Sequence, residues 1–209
     1  HDDEFIECSG NISCTKLARY LHTNNISGFE FLYGIPGTVG GAVYMNAGAF
    51  GSEILSYVHR IDLISSCGKI YSLNSNEINY SYRRSGIDNK SLILFIVFKN
   101  HQKKFNKKLL TDLNNKRISS QPVNQLSCGC IFKNPDKYSA SKLIDGLNLK
   151  GKRVGGIYVS KKHANYFIND GSGTFHDFVK LLYFVKKEVS TKLNITLEEE
   201  VILVEWISN

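Results

Sequence analysis

The stretch "YGIPGTVGGAVYMNAGAFG", residues 33–51, holds six glycines and constrains the fold more than any other segment of the chain. Residues without a Cβ weaken helix and strand interiors and admit backbone conformations closed to other residues. Gly37 and Thr38 follow a turn containing Pro36, at a point where a short helix of small residues can begin. A glycine-rich turn opening a helix can hold backbone N–H groups against a phosphate or pyrophosphate. Tight packing of backbone on backbone explains the same pattern equally well. The spacing is neither a dinucleotide fingerprint nor a P-loop, since no Gly-Lys-Ser/Thr follows. Asn46, Gly48 and Gly51 add weight to the ligand reading.

The segments on either side set the class of fold. "EFIEC" reads as a strand, and "SCTKLARYLHTNN" as a helix capped by Ser13 with Leu17, Tyr20 and Leu21 on one face. "YVHRIDLIS" and "KIYSLN" flank "SCG" as a hairpin, "NEINYSYRRSG" as a helix ending in an arginine-bearing loop, and "SLILFIVFK" as a strand. Residues 100–120 are basic, with Leu109, Leu110 and Leu113 as the apolar face of an amphipathic connecting helix. Composition changes at "SSQPVNQLS", which separates an expected first domain, 1–117, from a second, 118–209. The second reads as strand "GCIF", helix "SASKLIDGL", glycine-rich "GKRVGGIYVS", "KKHANYFIND", a helix over 174–193 capped by Thr174, and a last strand "VILVEWI". Helices and strands without regular alternation point to an α+β fold.

With 209 residues and 42% hydrophobic content the chain can bury a substantial core. No apolar run is long enough to cross a bilayer, and "HDDEFIECSGN" lacks the features of a secretory signal, so a cytoplasmic protein with no membrane partner is expected. Five cysteines without regular spacing suit a reducing compartment. The net charge of +7 fits an anionic small molecule, nucleic acid or merely a basic surface. Aromatic and basic residues are not interleaved as a single-strand platform needs, so nucleic acid is not the expected partner. A non-catalytic anion- or nucleic-acid-binding module using residues 100–120 is the competing reading.

Three short motifs carry chemical groups. "YSYRRSG" sets Tyr82, Arg83 and Arg84 together; an arginine in such a loop can grip a carboxylate or phosphate through paired hydrogen bonds, and two adjacent arginines cannot both point inward. "SCGCIFKNP" sets Cys128 two residues from Cys130. In a strand such residues are about 6.6 Å apart, from a rise of roughly 3.3 Å each, whereas a disulfide needs β carbons about 4 Å apart. Zinc needs a second ligand pair, and His163 and His176 are too isolated to supply one, so no metal is expected. A packed thiol, a nucleophile or a proton donor remain. A donor needs no basic partner, because a thiol of pKa about 8.5 keeps its proton at neutral pH. "TLEEEV" places Glu198, Glu199 and Glu200 in an extended segment whose residues alternate faces.

In their order and approximate spacing, "GIPGTVGGAVYMNAGAFG", "YSYRRS", "SCGCIFKNP", "ASKLIDGLNLKGKRVGGIYVSKKHANYFIND" and "LEEEV" resemble the UDP-N-acetylenolpyruvoylglucosamine reductases nearly end to end. The resemblance implies the second half of a PCMH-like FAD-binding domain followed by that family's C-terminal α+β substrate-binding domain. It implies an oxidoreductase of peptidoglycan synthesis in which FAD takes a hydride from NADPH and passes it to an enolpyruvyl ether on a UDP-sugar. By the same resemblance Arg83 binds and polarises the enolpyruvyl carboxylate, Cys130 stands where the family has a proton-donating serine, and Glu200 matches the last glutamate of Leu-Glu-Pro-Glu-Val. Tyr82, Lys133 and Asn134 line the substrate site, and Gly34, Ile35, Pro36, Gly37, Thr38, Gly40, Gly41, Asn46 and Gly48 lie against FAD.

The chain departs from the family at Cys130 for serine and Glu199 for proline, and it lacks the long insertion with a substrate-capping tyrosine, as in the shorter subtype. In the family, a lobe with its own glycine- and asparagine-bearing loop precedes the segment at which this sequence starts. No such loop occurs before Gly34, so the polypeptide alone is expected to bind FAD weakly or not at all.

Overall fold

The computed structural model describes residues 1–204. It divides into two compact units, His1–Arg117 and the part from Ile118 onward. The first holds a four-stranded antiparallel sheet of β1 (Phe5–Ser9), β4 (Val58–Ile64), β5 (Ile70–Asn74) and β6 (Leu92–Lys99), in the order β1-β6-β4-β5. Register pairs Ile6 with Phe98 and Ile61 with Ile96. These four side chains form one core with Leu17 and Leu21 of helix α1 (Cys14–Thr23) and Val39 and Val43 of α2 (Val39–Tyr44). Ile70, Leu92 and Phe95 remain exposed, as expected of an antiparallel sheet packed on one side. Two short strands, β2 (Gly48–Ala49) and β3 (Ser52–Glu53), follow α2 as a separate hairpin.

Several expectations change here. The buried stripe of α1 is Cys14, Leu17, Ala18 and Leu21, whereas Tyr20 sits at its edge, 50% exposed. Residues 76–86 form no helix beyond a single 3-10 turn, Ser75–Glu77, started by an Asn74/Glu77 capping box. The segment has no apolar face of helical period, and Arg83 and Gly86 adopt left-handed backbone, with φ of 56° and 72°, which no right-handed helix accommodates. In the basic stretch, helix α3 starts only at Leu109 and runs Leu109–Ser120; its leucines are half-buried, and the buried residue is Arg117. The Arg117 guanidinium lies 5.5 Å from the Phe50 ring centroid and donates to Phe31 O at 3.4 Å.

The second unit packs α4 (Ala140–Gly146) and α5 (Phe175–Leu193) with the antiparallel strands β7 (Arg153–Val154), β8 (Ile157–Val159) and β9 (Phe167–Asn169). Thr174 caps α5 by accepting from Asp177 N at 3.1 Å, and Asp177 answers by accepting from Thr174 N at 3.0 Å. Leu181, Leu182, Val185 and Val189 form its buried stripe, with Phe178 half-buried beside it. "GCIF" is not a regular strand; it is an extended segment bridged at Cys130 to Tyr166 and at Phe132 to Glu199. The expected last strand does not form over residues 201–204, and its remaining residues, 205–207, lie outside the described part. No helix among the described residues is long and apolar enough to cross a membrane.

Candidate functional site

In the first unit the chemistry gathers around Arg83. Ser81, Tyr82, Arg83 and Arg84 make a tight turn closed by Ser81 N to Arg84 O at 2.9 Å and Arg84 N to Ser81 O at 3.0 Å. Its third residue takes the left-handed conformation that glycine ordinarily supplies in such a turn. An arginine there costs roughly 1–2 kcal/mol in backbone strain. Strain of this kind persists where surrounding contacts enforce it. The turn leaves Arg84 exposed and draws in the Arg83 side chain, which is 16% exposed. Arg83 Nη2 donates to Gly48 O at 3.0 Å and Nη1 to Asn46 O at 3.4 Å; Glu53 Oε1 lies 4.0 Å from Nη1, and the guanidinium sits 4.8 Å from the Tyr82 ring centroid.

The glycine stretch divides by what surrounds each residue. A Cβ on Gly40 would lie 2.9 Å from Gly10 O, and one on Gly48 would lie 2.4 Å from Ser52 O, so both are glycine because backbone packs against them. Gly37 is different: it has φ of 102°, it is exposed with Pro36 and Thr38, and nothing lies within 4 Å of a Cβ placed there. Thr38 caps α2 by accepting from Gly41 N at 3.1 Å. Asn46 is fully buried, and its side chain is engaged by Glu53, Ser81 and Leu55.

In the second unit the segment 130–133 lies between two neighbours. Ile131 N donates to Asn165 O at 2.9 Å on one side, while Glu200 N donates to Ile131 O and Lys133 N to Glu198 O, both at 2.8 Å, on the other. Cys130 and Glu200 are both half-buried, and the Glu200 backbone is bonded to the residue that follows Cys130. Lys133 pairs with Glu198, and Asn134 Oδ1 accepts from Ala140 N at 2.9 Å at the start of α4. Burial of Glu199 disfavours its charged form, but Lys186, 2.6 Å away, outweighs this and holds the carboxyl below its usual range. Cys128 is exposed. None of the five cysteines is in a disulfide, and no group of three or more His, Cys, Asp or Glu among the described residues is arranged to hold a metal.

Two residues of these neighbourhoods carried no signal in the sequence. Glu53 sits in an unremarkable "GSE", and Asn165 is a polar residue inside an apolar run; only the fold brings the first to Arg83 and the second to Phe132.

Residues 1–74 match the family model described as FAD binding domain, and residues 121–204 match that of UDP-N-acetylenolpyruvoylglucosamine reductase, C-terminal domain. The chain thus joins part of a flavin-binding α+β fold to a second α+β unit typical of one group of reductases. A UDP-N-acetylenolpyruvoylglucosamine reductase of Chlamydia felis is 39% identical over 202 residues, covering 96% of this chain and 68% of the relative. The chain belongs to that family. A Thermotoga maritima reductase is 41% identical over 190 residues, 89% of this chain, and one from Thermotoga sp. is 40% identical. The chain spans 66% and 63% of the lengths of these two relatives. The crystal structure of the reductase (MurB) from Thermus caldophilus superposes with a TM-score of 0.82 at 29% identity, covering 96% of this chain and 72% of that one.

Proposed function

We propose that the chain serves the reduction of UDP-N-acetylglucosamine enolpyruvate to UDP-N-acetylmuramate, with FAD as resident cofactor and NADPH as co-substrate. The observation that carries this reading is Arg83, held on the Asn46 and Gly48 carbonyls at a strained turn in a chain of this family. Such a guanidinium suits a carboxylate.

The loop before α2 fits a cofactor. Pro36, Gly37 and Thr38 are exposed, and the space around a Cβ placed at Gly37 is open. Gly34 and Ile35 precede them in the loop, and Gly40 and Gly41 lie in the first turn of α2. These residues would hold FAD, which when bound would supply hydride chemistry at C3 of the enolpyruvyl group, with NADPH as the source.

The remaining chemistry falls to side chains. Hydride at C3 leaves an electron pair at C2, delocalised into the adjoining carboxylate, and a fixed positive group at that carboxylate stabilises it. Arg83 is that group. The proton that completes the product comes to C2 from the Cys130 thiol. Glu200 orients or assists this transfer, and Tyr82, Lys133 and Asn134 line the substrate site.

The test is NADPH oxidation by the full-length protein, dependent on UDP-N-acetylglucosamine enolpyruvate. Arg83→Ala should lower kcat by about 100-fold or more, the usual cost of removing a group that stabilises developing charge. Cys130→Ser should retain turnover and Cys130→Ala should lose it. Absence of substrate-dependent oxidation overturns the function, and a fully active Cys130→Ala beside a dead Cys130→Ser overturns the donor role.

A further inference from the structure

Asn46 is buried at φ of 44°, and its side chain joins three separate segments. Its Nδ2 donates to Glu53 Oε2 at 3.0 Å and to Ser81 O at 2.9 Å, while its Oδ1 accepts from Leu55 N at 3.3 Å. Both N–H groups of the amide are therefore engaged within the protein. Ser81 O also accepts from Arg84 N, so Asn46 grips the carbonyl that closes the Arg83 turn. The Glu53 carboxylate is forked, one oxygen on Asn46 and the other 4.0 Å from Arg83 Nη1. Gly48 faces Glu53 across the β2–β3 pair, and its carbonyl takes Arg83 Nη2.

We infer that Asn46 and Glu53 are positioning residues for Arg83. Together they form a bracket that fixes the turn by its Ser81 carbonyl and the guanidinium by a carboxylate and two backbone oxygens. An arginine has five N–H donors in a rigid fork, so acceptors on one side set the plane in which it meets a ligand. A guanidinium fixed before substrate arrives loses less freedom on binding and stabilises charge without reorganising. The inference rests on the proposed role of Arg83 as the carboxylate-binding group. It makes Asn46 an internal tie rather than a cofactor ligand, and brings in Glu53, which the motifs did not mark.

The experiment uses the full-length protein with Glu53→Ala and Glu53→Gln, each alone and combined with Arg83→Lys. A loosened guanidinium should lower kcat of Glu53→Ala by about 10-fold or more, leaving FAD content and the rate of flavin reduction by NADPH within about two-fold. Glu53→Gln should stay nearly as low as Glu53→Ala, because an amide oxygen kept on Asn46 turns its NH2 toward a guanidinium that has only donors. In the Arg83→Lys background Glu53→Ala should change kcat by less than about two-fold, because the two substitutions then remove the same interaction. Equal losses in both backgrounds, loss of flavin in step with kcat, or no loss at all overturns the bracket. If the parent protein binds FAD but never oxidises NADPH with the enolpyruvyl substrate, it is the functional reading that fails. Arginine side-chain NMR then decides the bracket separately. Slow rotation of one guanidinium that becomes fast in Glu53→Ala supports it, and an unchanged spectrum overturns it.

Discussion

Asn165 stands in for a strand beside Phe132: its Nδ2 donates to Phe132 O at 2.7 Å and its Oδ1 accepts from Phe132 N at 3.0 Å. Both residues are buried, Asn165 at 2% exposure and Phe132 at 1%. A buried backbone N–H and C=O must find partners, and here one side chain satisfies both. The Asn165 carbonyl, meanwhile, takes Ile131 N, so one residue pins the two positions that follow Cys130.

Asn165→Ala should therefore destabilise the second unit by about 2–6 kcal/mol, from two buried groups left unsatisfied at roughly 1–3 kcal/mol each. Asn165→Asp should cost more, since it removes the donor to Phe132 O and buries a carboxylate in its place. Denaturant melts of both variants check this; a loss under 1 kcal/mol for Asn165→Ala would show that water replaces the amide.

Asp170 gives a prediction in pH. Arg153 pairs with it, and Ser172 donates to it from Oγ at 2.7 Å and from its amide at 3.0 Å. These contacts, the Arg153 bond foremost, lower its pKa to about 2. A carboxyl depressed in the folded state contributes stability that is complete above its unfolded value of about 3.9 and disappears as pH falls through the folded one. The difference in Tm between the parent and Asp170→Asn should thus be constant above about pH 5 and shrink between pH 4 and 2. A difference that does not vary over that range would mean that the ion pair is broken in solution.

Thr174 tests a local device. The reciprocal bonds between Thr174 and Asp177 satisfy backbone donors at the start of a 19-residue helix that carries much of the second core. Thr174→Ala should cost about 1 kcal/mol, and Thr174→Ser much less, because serine keeps the accepting oxygen. Equal melting of the two variants would show that the cap contributes little.

That helix was legible because its signals are local: a cap, an acidic first turn and apolar residues at helical spacing all lie within Thr174–Leu193. The hairpin of β4 and β5 around Gly68 was legible for the same reason. The turn at Arg83 was not, because its left-handed residue is an arginine and the contacts that hold it come from Asn46 and Gly48, over 30 positions away. Cys130 could be recognised by its motif, whereas the residue that pins its segment, Asn165, could not. Polar residues that hold a site in place have no spacing of their own; topology alone brings them to their partners.

The thiols should separate by reactivity. Cys67 lies exposed in the β4–β5 turn, and the Ser65 hydroxyl, 3.1 Å from its sulfur, is the foremost cause of a lowered pKa, followed by the Lys69 backbone. Burial pushes Cys8 up to about 12, with Cys14 nearby, and Cys14 up to about 11. Because the thiolate is the attacking species, iodoacetamide at pH 8 should modify Cys67 first and Cys8 much more slowly. Peptide mass spectrometry over time should show Cys14 labelled only as the unit unfolds and half-buried Cys8 labelled well after Cys67. Labelling of Cys14 in step with Cys67 would contradict its burial. In Cys67→Ser the fast adduct should vanish with no change in Tm, leaving the slower modification of Cys128 and Cys130 to be followed directly.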